Sequence, residues 1–186
     1  MRKLIVPVSL LLVLSSCWGL LRRPPGNFNQ TKVWGYTPVY SNDSTLLRIH
    51  SSGPRAVQFP GKIYVKGNLI FQCEHGAGIH IIDKTNPSAP ARIGFINVLG
   101  ASEISIKGNY LYTNSFTDLV VVDVSDWQNV SEVKRFPHAF SQGGSVYRYD
   151  FMPLPEHNVY FDCNIDPMAI QTGWARDSVY RQCYYP

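Results

Sequence analysis

Short apolar runs, alternating with polar residues and broken at intervals by glycine, asparagine and proline, fill the middle of this 186-residue chain. Ile63 and Val65 fall on one face of an extended segment and Lys62, Tyr64 and Lys66 on the other, the period of two that marks a half-buried strand. Gly67-Asn68 follows as a two-residue hairpin turn, because glycine accepts the positive φ such a turn requires. Residues 69–73 then run back, residues 74–78 form a second connection, and residues 78–83 are a third strand. That strand ends in Asp83-Lys84-Thr85-Asn86-Pro87, where an Asx turn is expected and Pro87 has no amide hydrogen to give a ladder. Residues 92–98, with Ile93, Phe95 and Ile96, make the fourth strand.

The same grammar returns about forty residues later. Lys66-Gly67-Asn68-Leu69-Ile70-Phe71 recurs as Lys107-Gly108-Asn109-Tyr110-Leu111-Tyr112, an offset of 41, and Ile79-His80-Ile81-Ile82-Asp83 recurs as Leu119-Val120-Val121-Val122-Asp123, an offset of 40. The second copy places strands at 104–107, 110–113, 119–124 and 132–136. Its Leu119 to Val122 run is apolar without alternation, as in a strand covered on both faces. A unit repeated at this length is one supersecondary module stacked on its copy, since each exposes an apolar face it cannot bury alone.

The flanks read less regularly. Residues 33–60 carry Trp34, Tyr36, Val39, Tyr40, Leu46 and Ile49, enough for one or two strands between turn-forming stretches, and form a lead-in segment expected to pack on the first module. Residues 141–186 form an irregular β tail or a degraded third module. Strands are expected there at 145–151, 159–163 and 177–183, but no apolar strand ending in aspartate recurs. At the front, Met1-Arg2-Lys3 is a basic n-region, and Leu4 to Leu14 is too short to cross a hydrocarbon layer of about 30 Å as a helix. The next residues, Leu14-Ser15-Ser16-Cys17, resemble the lipobox of bacterial lipoproteins. That resemblance implies a signal peptide over 1–16, lipid on Cys17 and a tether over 17–32 that holds the folded part near a membrane.

Four short antiparallel strands in forty-odd residues match the sheet size and repeat length of a β-propeller blade. The strands ending Ile-His-Ile-Ile-Asp at 79–83 and Leu-Val-Val-Val-Asp at 119–123, each after a Gly-Asn hairpin, resemble the LVIVD repeat of bacterial cell-surface proteins. The resemblance covers about residues 36–140 and implies a propeller-like fold at the cell surface or in the periplasm. Two copies are fewer than the four blades with which a propeller closes. The expected architecture is therefore all-β: antiparallel four-stranded blade repeats at 61–100 and 101–140, in an incomplete propeller of two blades plus the tail.

Composition adds limits. With 45% hydrophobic, 13% aromatic and 16% charged residues, the chain has the makeup of a globular, strand-rich protein. Its net charge of +4 includes Arg2 and Lys3 and is too scattered to argue for a nucleic-acid surface. With Cys17 assigned to lipid, Cys163 and Cys183 either bridge or stay as thiols, and Cys73 reads as a small buried hydrophobe. Cys73, Glu74, His75 and His80 match no zinc spacing, so neither a metal nor a cofactor is expected. Asp83 and Asp123 sit at equivalent places in the two copies, which points to a turn within each module rather than to a catalytic pair. No nucleophile elbow, phosphate loop or dinucleotide fingerprint is present.

No catalytic residue is therefore assigned. The function that fits is a non-catalytic, lipid-anchored envelope protein with a binding or scaffolding domain for a protein or glycan partner, at the outer membrane or cell surface rather than the inner membrane. A glycan-processing hydrolase with a loop-borne site and a truncated, inactive paralogue are the alternatives. A cleft with two or more carboxylates or clustered histidines would favour the hydrolase. An aromatic surface without them would favour binding.

Overall fold

A computed structural model of the chain describes residues 31–140, 151–166 and 169–186. The leader, Cys17, the tether up to residue 30 and nearly all of the strand expected at 145–151 lie outside these residues. Thirteen strands follow one another: β1 (Lys32–Ser41), β2 (His50–Ser52), β3 (Pro60–Lys66), β4 (Leu69–Glu74), β5 (Gly78–Asp83), β6 (Ala91–Asn97), β7 (Ile104–Lys107), β8 (Tyr110–Ser115), β9 (Asp118–Asp123), β10 (Ser131–Phe136), β11 (Val159–Phe161), β12 (Ile170–Tyr180) and β13 (Cys183–Tyr185). One 3-10 turn, Ser44–Leu47, is the only helical element among the described residues.

The protein is all-β, and its two central sheets repeat one plan. The first has strand order β2-β6-β5-β4-β3 and the second β10-β9-β8-β7. In each, a two-residue turn joins the first two strands, with Lys66 opposite Leu69 and Lys107 opposite Tyr110. Gly67 and Gly108, at φ 57° and 59°, take the first central position, glycine's place in a type II′ hairpin. The Asp83 carboxylate then accepts hydrogen bonds from the Thr85 amide (2.8 Å) and hydroxyl (2.6 Å), and Asp123 accepts from the Ser125 amide (2.8 Å). Both aspartates close turns inside their own modules. These bonds, led at Asp83 by the Thr85 hydroxyl and at Asp123 by the Ser125 amide, hold both carboxyls below the ordinary carboxylate range.

The two sheets share one hydrophobic seam. Phe71, Ile79, Ile81 and Ile96 of the first and Leu111, Val120 and Val122 of the second are buried in a single cluster, with Ala101 between the modules. Side chains two apart along a strand point the same way, so Ile79 and Ile81 on β5, and Val120 and Val122 on β9, present continuous apolar rows. At the inner edges β3 and β7 meet through a Lys62–Glu103 ion pair and a hydrogen bond from Lys66 Nζ to the Gly108 carbonyl (2.6 Å). The ion pair is exposed and adds little beside the seam.

The third sheet departs from the sequence expectation. Its order is β12-β1-β11-β13, so β1 lies between strands of the tail instead of against the first module. β1 runs antiparallel to β12 from Lys32 opposite Tyr180 to Ser41 opposite Ile170, and parallel to β11 at Gly35 and Tyr36. Only β2, from the same lead-in segment, joins the first module, beside β6. A ten-residue strand with apolar positions on both faces needs neighbours along its length, and the eleven-residue β12 offers a longer partner than any edge of the repeat sheets. The single tail strand expected at 177–183 is instead the end of β12, a turn closed by the Gln182 amide on the Tyr180 carbonyl (2.7 Å), and the start of β13. No closed propeller forms among the described residues.

Leu111→Ala should cost about 2–5 kcal/mol, because the side chain is fully buried in the seam and both rigid sheets would have to move to refill the space. Urea unfolding of wild type and variant measures it.

Candidate functional site

The connection between β4 and β5 positions one wall of a cleft among the described residues. His75 donates its amide to the Phe59 carbonyl (2.9 Å), and Gly76 donates to the Ala101 carbonyl (2.7 Å) while accepting from the Gly100 amide (3.0 Å). This loop is thus fixed to the chain before β3 and to the second module. Gly76 has φ 78°, and a Cβ there would lie 2.7 Å from Met152 Sδ, so glycine lets residues 151–153 lie flat on the loop. Trp174 of β12 then donates Nε1–H to the Met152 carbonyl (2.9 Å) and meets Phe161 edge to face at 5.8 Å. The third sheet is held over the end of the first module in this way.

Between them lies a cleft of about 860 Å³. One wall carries Trp174, Pro153 and Pro155, another Phe59 and Gln58, and the 3-10 turn contributes Thr45 and Leu46. Arg55 brings a positive charge, His50 and His75 add imidazoles, and Glu74 is the one carboxylate among the described residues of the lining.

Glu74 is fully engaged. One carboxylate oxygen accepts the amides of Gln58 (2.9 Å) and Phe59, and the other accepts His80 Nε2–H at 2.9 Å. The pair is buried, with side-chain exposures of 2% for Glu74 and 0% for His80, so neither group meets solvent. His80 Nδ1 has no hydrogen-bond partner, and its ring stands edge to face on Phe95 with centroids 4.8 Å apart. The far face of Phe95 carries the Arg55 guanidinium, 4.3 Å from the ring centroid. Capturing two successive amides sets the course of the chain into β3 and puts Phe59 and Gln58 on the cleft wall.

The second module uses the same device with a neutral group. Asn114 Oδ1 accepts the amides of Ser102 and Glu103, each at 2.9 Å, and its Nδ2 donates to the carbonyls of Gly100 (2.8 Å) and Phe116 (3.2 Å). A carboxylate in this role needs a donor for its remaining oxygen, and His80 supplies it.

Of the residues weighed from sequence, Glu74 and His80 come together as an acid-histidine pair. His75 stands instead against Gly61. Cys73 is buried, and loss of solvent, followed by the Glu103 and Glu74 charges, pushes its thiol up to about 12, so it carries no thiolate at neutral pH. Among the described residues no three His, Cys, Asp or Glu side chains are grouped to hold a metal ion. Cys163 and Cys183 are disulfide-bonded, with Cα atoms 6.0 Å apart, tying β13 to the segment after β11. Sequence reasoning missed Arg55, which lies in no motif; Trp174 was one of many aromatics weighed as a sugar- or peptide-binding platform, and only the fold brings the two to one cleft.

The structure is that of an all-β repeat protein with a preformed cleft, and among the described residues of its lining Glu74 is the one carboxylate. Residues 61–98 and 100–137, the two central modules, each match the LVIVD repeat family model. Neither a curated protein nor a solved structure matches the chain.

Glu74→Ala should destabilise the protein by about 3–5 kcal/mol, since it strands a buried imidazole and removes the acceptor of two part-buried backbone amides. Glu74→Gln keeps an oxygen for the amides and should cost less. Denaturant unfolding of both variants orders the two effects.

Proposed function

We propose that this chain is a non-catalytic envelope protein, anchored by lipid on Cys17, whose LVIVD-repeat β domain binds or scaffolds a protein or glycan partner. The observation that carries the reading is the cleft beside Glu74. It is large enough for a small ligand or the tip of a larger one, walled by Trp174, Phe59 and two prolines, and its single carboxylate is spent on the fold. General acid-base hydrolysis needs a carboxyl group free to exchange a proton with substrate. Glu74 has both oxygens bonded within the protein, so the cleft suits recognition better than turnover.

The anchoring part of the proposal rests on the leader, with Leu14-Ser15-Ser16-Cys17 after an apolar run of 11 residues. Two or three acyl chains on one cysteine give stable membrane attachment where a single chain would not. A folded domain beginning at β1 would then lie within a tether's reach of the bilayer, its cleft facing the aqueous compartment.

Two measurements test this. In a bacterial host, wild type should take up a metabolic palmitate label and sediment with membranes, and Cys17→Ser should take up none; equal labelling removes the lipid anchor. Partner capture by the detergent-extracted full chain should fall about tenfold or more in Trp174→Ala, in line with the loss of a buried aromatic anchor. Undiminished capture would place the binding surface elsewhere.

A further inference from the structure

We infer that the cleft takes an acidic saccharide, and that the Arg55 guanidinium receives its oxyanion. This rests on the cleft being the binding site proposed above. It names the ligand class and the residue that selects it.

The charge balance points first to an anion. Arg55, His50 and His75 line the cleft with one carboxylate among the described residues, Glu74, whose oxygens are already taken by Gln58, Phe59 and His80. Among the described residues nothing acidic in the lining answers Arg55, whose one side-chain contact of note is with Phe95. Its guanidinium carbon lies 4.3 Å from the Phe95 ring centroid, a cation–π contact. Phe95 is braced by His80, and His80 by Glu74. The buried pair therefore supports, through two rings, the ring on which the guanidinium rests, and that contact leaves the guanidinium N–H donors unspent. Such a group suits two-point recognition of a carboxylate or phosphate.

The rest of the lining points to a sugar carrying that anion. Trp174, Phe59, Pro153 and Pro155 offer flat apolar surfaces for the carbon-hydrogen faces of a pyranose ring. Gln58, Asn97, Thr45 and Thr172 place short polar side chains among them for ring hydroxyls. An extended acidic peptide would instead seek a free strand edge. The strand beside the cleft, β2, pairs with β6 on one side. Its side chain at Ser51 reaches the second module, with Oγ donating to the Trp127 carbonyl (2.7 Å) and accepting the Val130 amide (3.2 Å). As an edge strand of three residues, β2 gives a peptide only a short backbone ladder to join.

Calorimetric titration of the detergent-extracted full chain with tetragalacturonic acid and with its methyl ester tests the inference, since the two share a sugar body and differ in charge. A sugar phosphate and poly-glutamate are the other arms. The acid should bind at least about tenfold more tightly than the ester, the worth of one good charged hydrogen-bonding contact. Arg55→Gln should bring the acid down to the level of the ester with an unchanged thermal melt. Tighter binding of the sugar phosphate supports the same site with phosphate as the anion. Equal binding of acid and ester, both lost in Trp174→Ala, overturns the role of Arg55 while the binding cleft stands. Binding of poly-glutamate alone overturns the saccharide. Binding of no probe, in a chain whose partner capture ignores Trp174→Ala, overturns both this inference and the cleft as a binding site.

Discussion

Neither repeat sheet can hide its apolar side alone, and the mutual cover of the two is the constraint on which the remaining structure depends. Ile79 and Ile81 on one side and Val120 and Val122 on the other are wholly excluded from water in a single cluster. A four- or five-stranded sheet with one greasy face is unstable in water until that face is covered. The module's own copy is the nearest cover available, which is why the unit comes at least twice. Inter-module polar contacts such as Lys62 with Glu103 lie at the solvent edge and align the sheets without holding them together.

Once the seam fixes the sheets, the chain entering each module must be held down, and both modules solve this with a buried oxygen near the end of their second strand. Asn114 satisfies itself completely, donating and accepting inside its own loop region. Glu74 brings a charge, and with it His80, Phe95 and the stacked Arg55. The substitution of a carboxylate for an amide in one of two otherwise parallel roles is what makes the modules unequal. The cleft lies at the module that carries the carboxylate, so a structural difference of a few atoms coincides with the place where recognition is proposed.

Much of the architecture was legible in the order of residues. Alternation at residues 62–66 and short apolar runs elsewhere located the strands of both repeats, although Ile63 and Val65 prove to be the exposed face of β3, the Gly-Asn pairs located their hairpins, and Asp83 and Asp123 were readable as turn residues because they recur. The partner of β1 was not legible. Alternation marks a strand but does not say which edge it joins, and Trp34, Tyr36 and Val39 fit a sheet with the tail as well as one with the first module. Glu74 and His80 were weighed as metal ligands and set aside, with His80 read as a solvent-facing or hydrogen-bonded histidine, but their pairing with each other was not foreseen. What joins them is hairpin register, with His80 opposite Gln72 and Glu74 opposite Gly78, so that the two lie diagonally on one face. The cleft itself draws on residues 45–59, 74–77, 97–99, 152–155 and 172–174, a convergence that no local pattern encodes.

The placement of β1 also sets a timetable. It precedes the other described strands, yet its long neighbour begins at Ile170, so it cannot pair until the chain has passed that residue. Closing so wide a loop is slow compared with zipping the local hairpins of the two repeats. The repeats can therefore assemble while β1 is still unmatched, and Trp174, which rides on that late neighbour, reaches its wall only when β1 and β12 come together. The cleft proposed for recognition is thus completed after the seam that supports it.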